Sequence, residues 1–120
     1  MPLEITVTAG ESGPMMVLAG ETDLATTPEL CRELTAQLAS GARHMTVDVC
    51  ALTFADSTSI QALMLAGLTL QRRGGALALL SPQPAVARLL YLMDADQTLK
   101  IRPGPGAEPE AIRPVSPLRP

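Results

Sequence analysis

The sequence predicts an α/β domain built on a mixed β-sheet of four to five strands, with elements in the order β-β-α-β-α-β-α. Three observations predict it. Short apolar runs with period-2 alternation recur along the chain. Between them lie longer segments whose apolar residues repeat every three or four positions. Gly, Pro and cap-type residues punctuate the changes of period, and alternating units of this kind give parallel strand pairs wherever a helix crosses over.

Leu3, Ile5 and Val7 alternate with Glu4, Thr6 and Thr8, which reads as a strand with one buried face. The turn cluster Ala9 to Pro14 leads into Met15 to Ala19, an apolar run short enough for an interior strand. The short connection predicts that these two strands pair antiparallel. After Gly20 to Asp23 comes a helix start. Thr26 or Thr27 serves as cap, Pro28 suits the first turn, and Glu29 stands three residues after Thr26, as in a capping box. Leu30, Leu34 and Leu38 give the helix its apolar stripe, and Gly41 ends it.

Met45 to Val49 is the next strand, with Val47 and Val49 on one face and Asp48 turned away. Leu52 to Ala55 reads as a connecting loop, and Asp56 to Ser59 as a second cap-rich segment. Ile60, Leu63, Met64, Gly67, Leu68 and Gln71 trace a helical face, closed by Arg72, Arg73 and Gly74-Gly75. Ala76 to Leu80 is a further strand. Val86, Leu89, Leu90 and Met93 mark an amphipathic helix, and Thr98 to Ile101 a last extended segment. The domain is expected over residues 1–102. Residues 103–120 hold six Pro and two Gly and read as a disordered tail.

Composition narrows the function. The 120 residues carry a net charge of −3, no Trp, one Tyr and one Phe, which disfavours direct nucleic-acid binding by phosphate contact or base stacking. No apolar run reaches the ~20 residues of a membrane span, and no basic, apolar leader opens the chain. A cytoplasmic protein is expected. Cys31 and Cys50 read as two buried thiols. One His and two distant Cys do not make a metal site. No cofactor motif is present, and no long heptad appears, so a monomer or weak dimer is expected.

Two polar segments follow strands and precede helices: Gly20 to Thr27 and Leu52 to Ser59. If the strands are parallel neighbours, both lie at the carboxyl edge of the sheet, the usual functional edge of an α/β fold. Asp23 and Ser57 then share a surface. Ser57 at a helix start reads either as a plain cap worth ~1 kcal/mol or as a modifiable hydroxyl, whose phosphate would meet free N–H groups and the helix dipole. A nucleophile is the weaker reading. Ser57 lacks a G-x-S-x-G elbow, and the only histidine, His44, lies at the far end of a strand, ~15–20 Å away. Asp23, Asp48 and Asp56 show no acid–base spacing. The chain is therefore not expected to be an enzyme.

The stretch Leu18-Ala19-Gly20-Glu21-Thr22-Asp23-Leu24 resembles the L-x-G-x-x-D segment of the STAS-domain anti-sigma factor antagonists. Val47-Asp48-Val49 through Phe54-Ala55-Asp56-Ser57-Thr58-Ser59-Ile60 resembles their v-D-l…f-x-D-S-[ST]-G-[LI] signature, and Gly74-Gly75 their later helix–strand junction. The likeness runs from about Leu3 to Ile101. It implies a STAS fold with helices mainly on one face of the sheet. It also implies a partner-binding surface made by Thr22, Asp23, Asp56, Ser57, Thr58 and Ser59. The implied partners are an anti-sigma factor serine kinase, which phosphorylates Ser57 or else Thr58, and a phosphatase that resets the switch. Ser59 departs from the family's Gly, a change that would alter the target, weaken binding or add a second phosphosite. The same fold also serves as a subunit of larger assemblies, such as a lipid-transport complex or stressosome.

Overall fold

The computed structural model describes residues 1–103; the expected tail, apart from Pro103, lies outside the described residues. The elements are β1 (Glu4–Gly10), β2 (Gly13–Glu21), α1 (Thr27–Ala39), β3 (His44–Phe54), α2 (Ser57–Arg72), β4 (Ala76–Leu80), α3 (Pro84–Leu92), a 3-10 turn (Ala95–Gln97) and β5 (Lys100–Arg102). They form one five-stranded sheet in the order β1-β2-β3-β4-β5. β1 and β2 pair antiparallel, as their short connection requires. The remaining neighbours are parallel, each reached through a helical crossover.

The helices cover one face. Met16 and Leu18 of β2, Val47 and Val49 of β3, and Leu77 and Leu79 of β4 point to it and are buried. They meet Leu30 and Leu34 of α1, Ile60, Leu63 and Leu70 of α2, and Val86 and Leu90 of α3 in one continuous core. Each such side chain taken fully from water contributes ~1.5–3 kcal/mol, so a core almost free of aromatics still suffices.

Four local expectations are corrected. First, β3 continues through Leu52 to Phe54, where a loop was expected, because its parallel pairing with β2 extends to Gly20↔Leu52 and Glu21↔Phe54. The Thr53 hydroxyl reinforces this end by donating to the Gly20 carbonyl at 3.0 Å. Second, the buried face of α2 uses Ala66 and Leu70 rather than Leu68 and Gln71. Gln71 is exposed, and its side-chain amide donates to the Gln97 carbonyl at 3.1 Å. Gly67 allows that close packing: a Cβ there would collide with the backbone oxygen of Thr98. Third, the capping box at α1 does not form. Thr26 is the N-cap, but its hydroxyl accepts from the Asp23 N–H at 2.8 Å instead of capping the helix. Fourth, both cysteines are exposed. Cys31 lies between the inward Leu30 and Leu34. Cys50 sits where the β2–β3 register slips from Val17↔Asp48 to Ala19↔Ala51, which turns it out of the core.

Candidate functional site

The loops after β2 and β3 lie side by side at the carboxyl edge of the parallel strands, and hydrogen bonds join them. The Thr22 N–H donates to the Phe54 carbonyl at 3.0 Å. The Thr22 hydroxyl donates to Asp56 Oδ1 at 2.8 Å and accepts the Asp56 N–H at 3.1 Å. Thr58 Oγ1 donates to Asp56 Oδ2 at 2.6 Å. Both carboxylate oxygens of Asp56 are thus held by hydroxyls.

Asp56 is the N-cap of α2, with extended backbone, but its side chain makes no capping bond to its own helix. Its carboxylate is held to the neighbouring loop instead. Partial burial pushes its pKa up, but the hydroxyls of Ser59, Thr58 and Thr22, with its own backbone N–H, outweigh that and lower it from 3.8 to about 2. Asp56 is therefore ionised throughout the physiological range.

A second set of bonds organises the α1 side. Asp23 Oδ1 accepts the Thr26 N–H at 2.9 Å, and the Asp23 carbonyl accepts the Thr27 hydroxyl at 2.9 Å. Thr27 Oγ1 in turn lies 3.0 Å from Ser59 Oγ, bridging the starts of α1 and α2. The two loops form one hydrogen-bonded unit with Asp23 exposed on its surface.

Ser57 is the first residue of α2. It is exposed, and its hydroxyl makes no hydrogen bond among the described residues. The expectation that Ser57 caps the helix gives way here, since Asp56 takes that position. Thr58 is half-buried and its hydroxyl is committed to Asp56. Thr22 and Ser59 are each 1% exposed. Both hydroxyls lie beneath the surface, that of Thr22 on Asp56 and that of Ser59 on Thr27. Ser57, Asp23 and part of Asp56 form the polar surface itself.

Leu24 in the first loop and Phe54 at the end of β3 belong to the same rim, and they are 75% and 56% exposed. Sequence reasoning gave them no role. The available signal was that the chain's only Phe sits immediately before a cap-rich segment instead of in the core. His44 opens β3, at the opposite end of the strand from Ser57, so no Ser–His pair forms. Among the described residues, no group of three or more His, Cys, Asp or Glu could hold a metal ion. No helix among them is long and apolar enough to cross a membrane.

A mixed sheet covered on one face, with this pair of stitched loops at its carboxyl edge, is the architecture of a STAS domain. The chain belongs to that family: the family model described as Mlab, STAS domain matches residues 5–103. Solved structures share the fold. An anti-sigma factor antagonist from Mycobacterium paratuberculosis superposes with a TM-score of 0.77 at 21% identity, over 92% of this chain and 92% of that one. A putative anti-sigma factor antagonist from Thermotoga maritima gives 0.75 at 19% identity, over 82% and 85%. The Bacillus cell fate determinant SpoIIAA, in its phosphorylated form, gives 0.65 at 17% identity, over 92% and 96%. No curated protein sequence matches the chain.

Proposed function

We propose that this protein is an anti-sigma factor antagonist whose rim binds an anti-sigma factor serine kinase, releases the sigma factor and is switched off by phosphorylation of Ser57. It acts in the cytoplasm as a binding protein, without cofactor or catalysis, and a phosphatase resets it. One observation carries the reading. Ser57 is exposed and makes no hydrogen bond among the described residues at the start of a 16-residue helix, while Thr22, Thr58 and Ser59 around it are committed to internal bonds.

The geometry supports the chemistry. The Asp56 side chain does not cap α2, so the first-turn N–H groups stay available to a phosphate on Ser57. The fold then tolerates the modification while the surface changes. Phosphorylation adds about −1.5 to −2 charges beside ionised Asp56 and exposed Asp23. A docked partner must desolvate or match that charge, and a penalty of ~3 kcal/mol lowers affinity roughly a hundredfold. Thr58 is the poorer acceptor because modification would break its 2.6 Å bond to Asp56.

The test is incubation with candidate anti-sigma kinases and ATP, followed by phosphosite mapping by mass spectrometry. Phosphate on Ser57, and its loss in Ser57→Ala, is expected. Phosphate elsewhere, or none with any such kinase, would sink the proposal.

A second reading stays in play because the matching family model is described as Mlab, STAS domain, with no reference to sigma factors, and because Ser59 replaces the expected Gly. In it the chain is the STAS subunit of a larger assembly, such as a lipid-transport complex or stressosome. Affinity capture separates the two: an ATPase or permease partner supports the assembly, a small serine kinase the antagonist.

A further inference from the structure

The helices cover one face of the sheet and leave the other bare. Strands β2 to β5 are parallel, and parallel strands are ordinarily covered on both faces. The bare side is no ordinary solvent face. Met15, Ala76, Ala78 and Leu80 line it and are half-buried. Because β4 presents two alanines there, the surface dips into a trough of about 420 Å³.

One side of the trough is cationic. The cross-strand register sets Met15, Thr46, Ala78 and Lys100 in one row across four strands, and Asp48, Leu80 and Arg102 in the next. Lys100 and Arg102 are two residues apart on β5, so they point to the same side of the sheet and flank the floor. Both are exposed and neither has an acidic partner among the described residues, where the one ion pair joins the Met1 amino group to Glu21. Asp48 is the acid in these rows. It stands two strands from Arg102, ~10 Å away, and one of its oxygens already accepts the Cys50 N–H at 2.9 Å.

We propose that this trough binds a single amphipathic anion: a carboxylate on a medium-length acyl chain, with its charge on Lys100 and Arg102 and its chain across Ala78 towards Met15. The charges are complementary, because two unneutralised cations side by side match one carboxylate, and the Arg fork accepts both of its oxygens. The size is right as well. Three strand spacings of ~4.8 Å put about 14 Å between Lys100 and Met15, the span of an extended medium-length acyl chain. A volume of about 420 Å³ suits a small ligand held mainly by apolar surface and oriented by a few polar groups. A peptide fits less well. β3 and β4 are interior strands whose backbone groups are spent on the ladders, so the floor offers a peptide's amides no partners. An acyl chain brings no such groups. A flat membrane surface fits less well too, since it meets the flanking side chains before it reaches the alanines. The trough lies on the face away from the helices, so this proposal stands apart from the sigma-factor reading.

The test titrates sodium decanoate, kept below its micellar concentration, into the isotope-labelled full chain and follows amide shifts by NMR. Saturable shifts are expected at Thr46, Ala78, Leu80 and Lys100, with Leu30 and Leu34 on the helical side unmoved. Decanol lacks the charge and acetate lacks the chain, so each should bind at least about tenfold more weakly than decanoate. Lys100→Glu with Arg102→Glu should weaken decanoate by at least about tenfold. Ala78→Leu, which fills the floor and leaves the charges in place, should do the same. The decanol and acetate comparison needs no variant, so a substitution that fails to fold does not remove the test. Absence of saturation, or shifts on the helical side instead, overturns the proposal. So does acetate binding as tightly as decanoate, which marks a plain anion site, or decanoate affinity untouched by the charge reversal. Binding to phosphatidylglycerol vesicles that decanoate does not displace assigns the face to a membrane surface and likewise overturns it.

Discussion

Replacing Thr22 by Val tests the support beneath the candidate switch. The hydroxyl that disappears both donates to Asp56 Oδ1 and accepts the Asp56 N–H, at 2.8 and 3.1 Å. A hydrogen bond to a charged acceptor contributes ~1.5–3 kcal/mol and a neutral one ~1 kcal/mol, and Val leaves both Asp56 groups without this partner. The expected cost at neutral pH is about 3 kcal/mol, which lowers Tm by roughly 12–24 °C for a domain of this size. The pH dependence adds a signature that simple packing loss lacks. Asp56 has a folded pKa of about 2 against an ordinary 3.8, so it binds protons less readily when folded. Its stabilisation is fully present above pH ~4 and is lost as pH falls through about 2. At most ~2 kcal/mol is involved, less after solvent screening of a partly exposed group. In Thr22→Val the folded pKa moves up towards 3.8, so the deficit against wild type should shrink between pH 5 and pH 2. Urea unfolding across that range, with NMR titration of the Asp56 carboxyl, measures both effects. A cost below ~0.5 kcal/mol at pH 7, or a deficit of equal size at pH 2, would refute the reasoning.

Other outcomes follow from the same geometry. Ser57→Asp should keep wild-type stability within ~0.5 kcal/mol, as exposed positions do, while weakening binding of a confirmed kinase partner roughly a hundredfold; calorimetric titration measures the second effect. Ser59→Gly should cost ~1–2 kcal/mol in urea unfolding, since it removes the Thr27 bond and adds a flexible residue to the first turn of α2. Gly67→Ala should be destabilising despite the better helix propensity of Ala, because the new Cβ meets the Thr98 carbonyl; a rise in Tm would contradict the packing described. The Cys50 thiol pKa is raised by hydrogen bonding to Asp48, with smaller contributions from slight desolvation and from the Asp48 charge. Asp48→Asn should therefore speed alkylation of Cys50 by iodoacetamide at pH 8, while the rate at Cys31 stays the same.

The fold was largely legible because its signals are local. Period-2 alternation marked β1, short apolar runs marked β2 and β4, and the stripe of Leu30, Leu34 and Leu38 marked α1. What failed depended on neighbours. Leu52, Thr53 and Phe54 have no strand pattern of their own and become β3 only through pairing with β2. The inward side of α2 was misread only in its later half, at Leu68 and Gln71 in place of Ala66 and Leu70, because Gly67 lets the Thr98 segment approach where a side chain would exclude it. The burial of Thr22 and Ser59 was not legible: sequence marks a polar residue without saying whether its hydroxyl faces water or lies buried. In the tail, Pro114, Pro117 and Pro120 stand three apart and repeat the P-x-x-P spacing twice. That is a peptide-recognition signal which proline content alone does not register.

The distribution of hydroxyls explains why the candidate switch can change charge without losing its shape. Three of them, on Thr22, Thr27 and Ser59, lie in bonds that join the two loops, a fourth on Thr58 holds Asp56 within its own segment, and that carboxylate remains ionised far below neutral pH. Satisfied polar networks in partly buried sites are rigid, because breaking one member leaves another unpaired at a cost of ~1–3 kcal/mol. Ser57 stands outside that network. Modifying it costs no internal bond, so nearly all of the added charge is felt by whatever docks on the rim. A serine inside the network would divide the same energy between partner release and local unfolding, and would make a poorer switch.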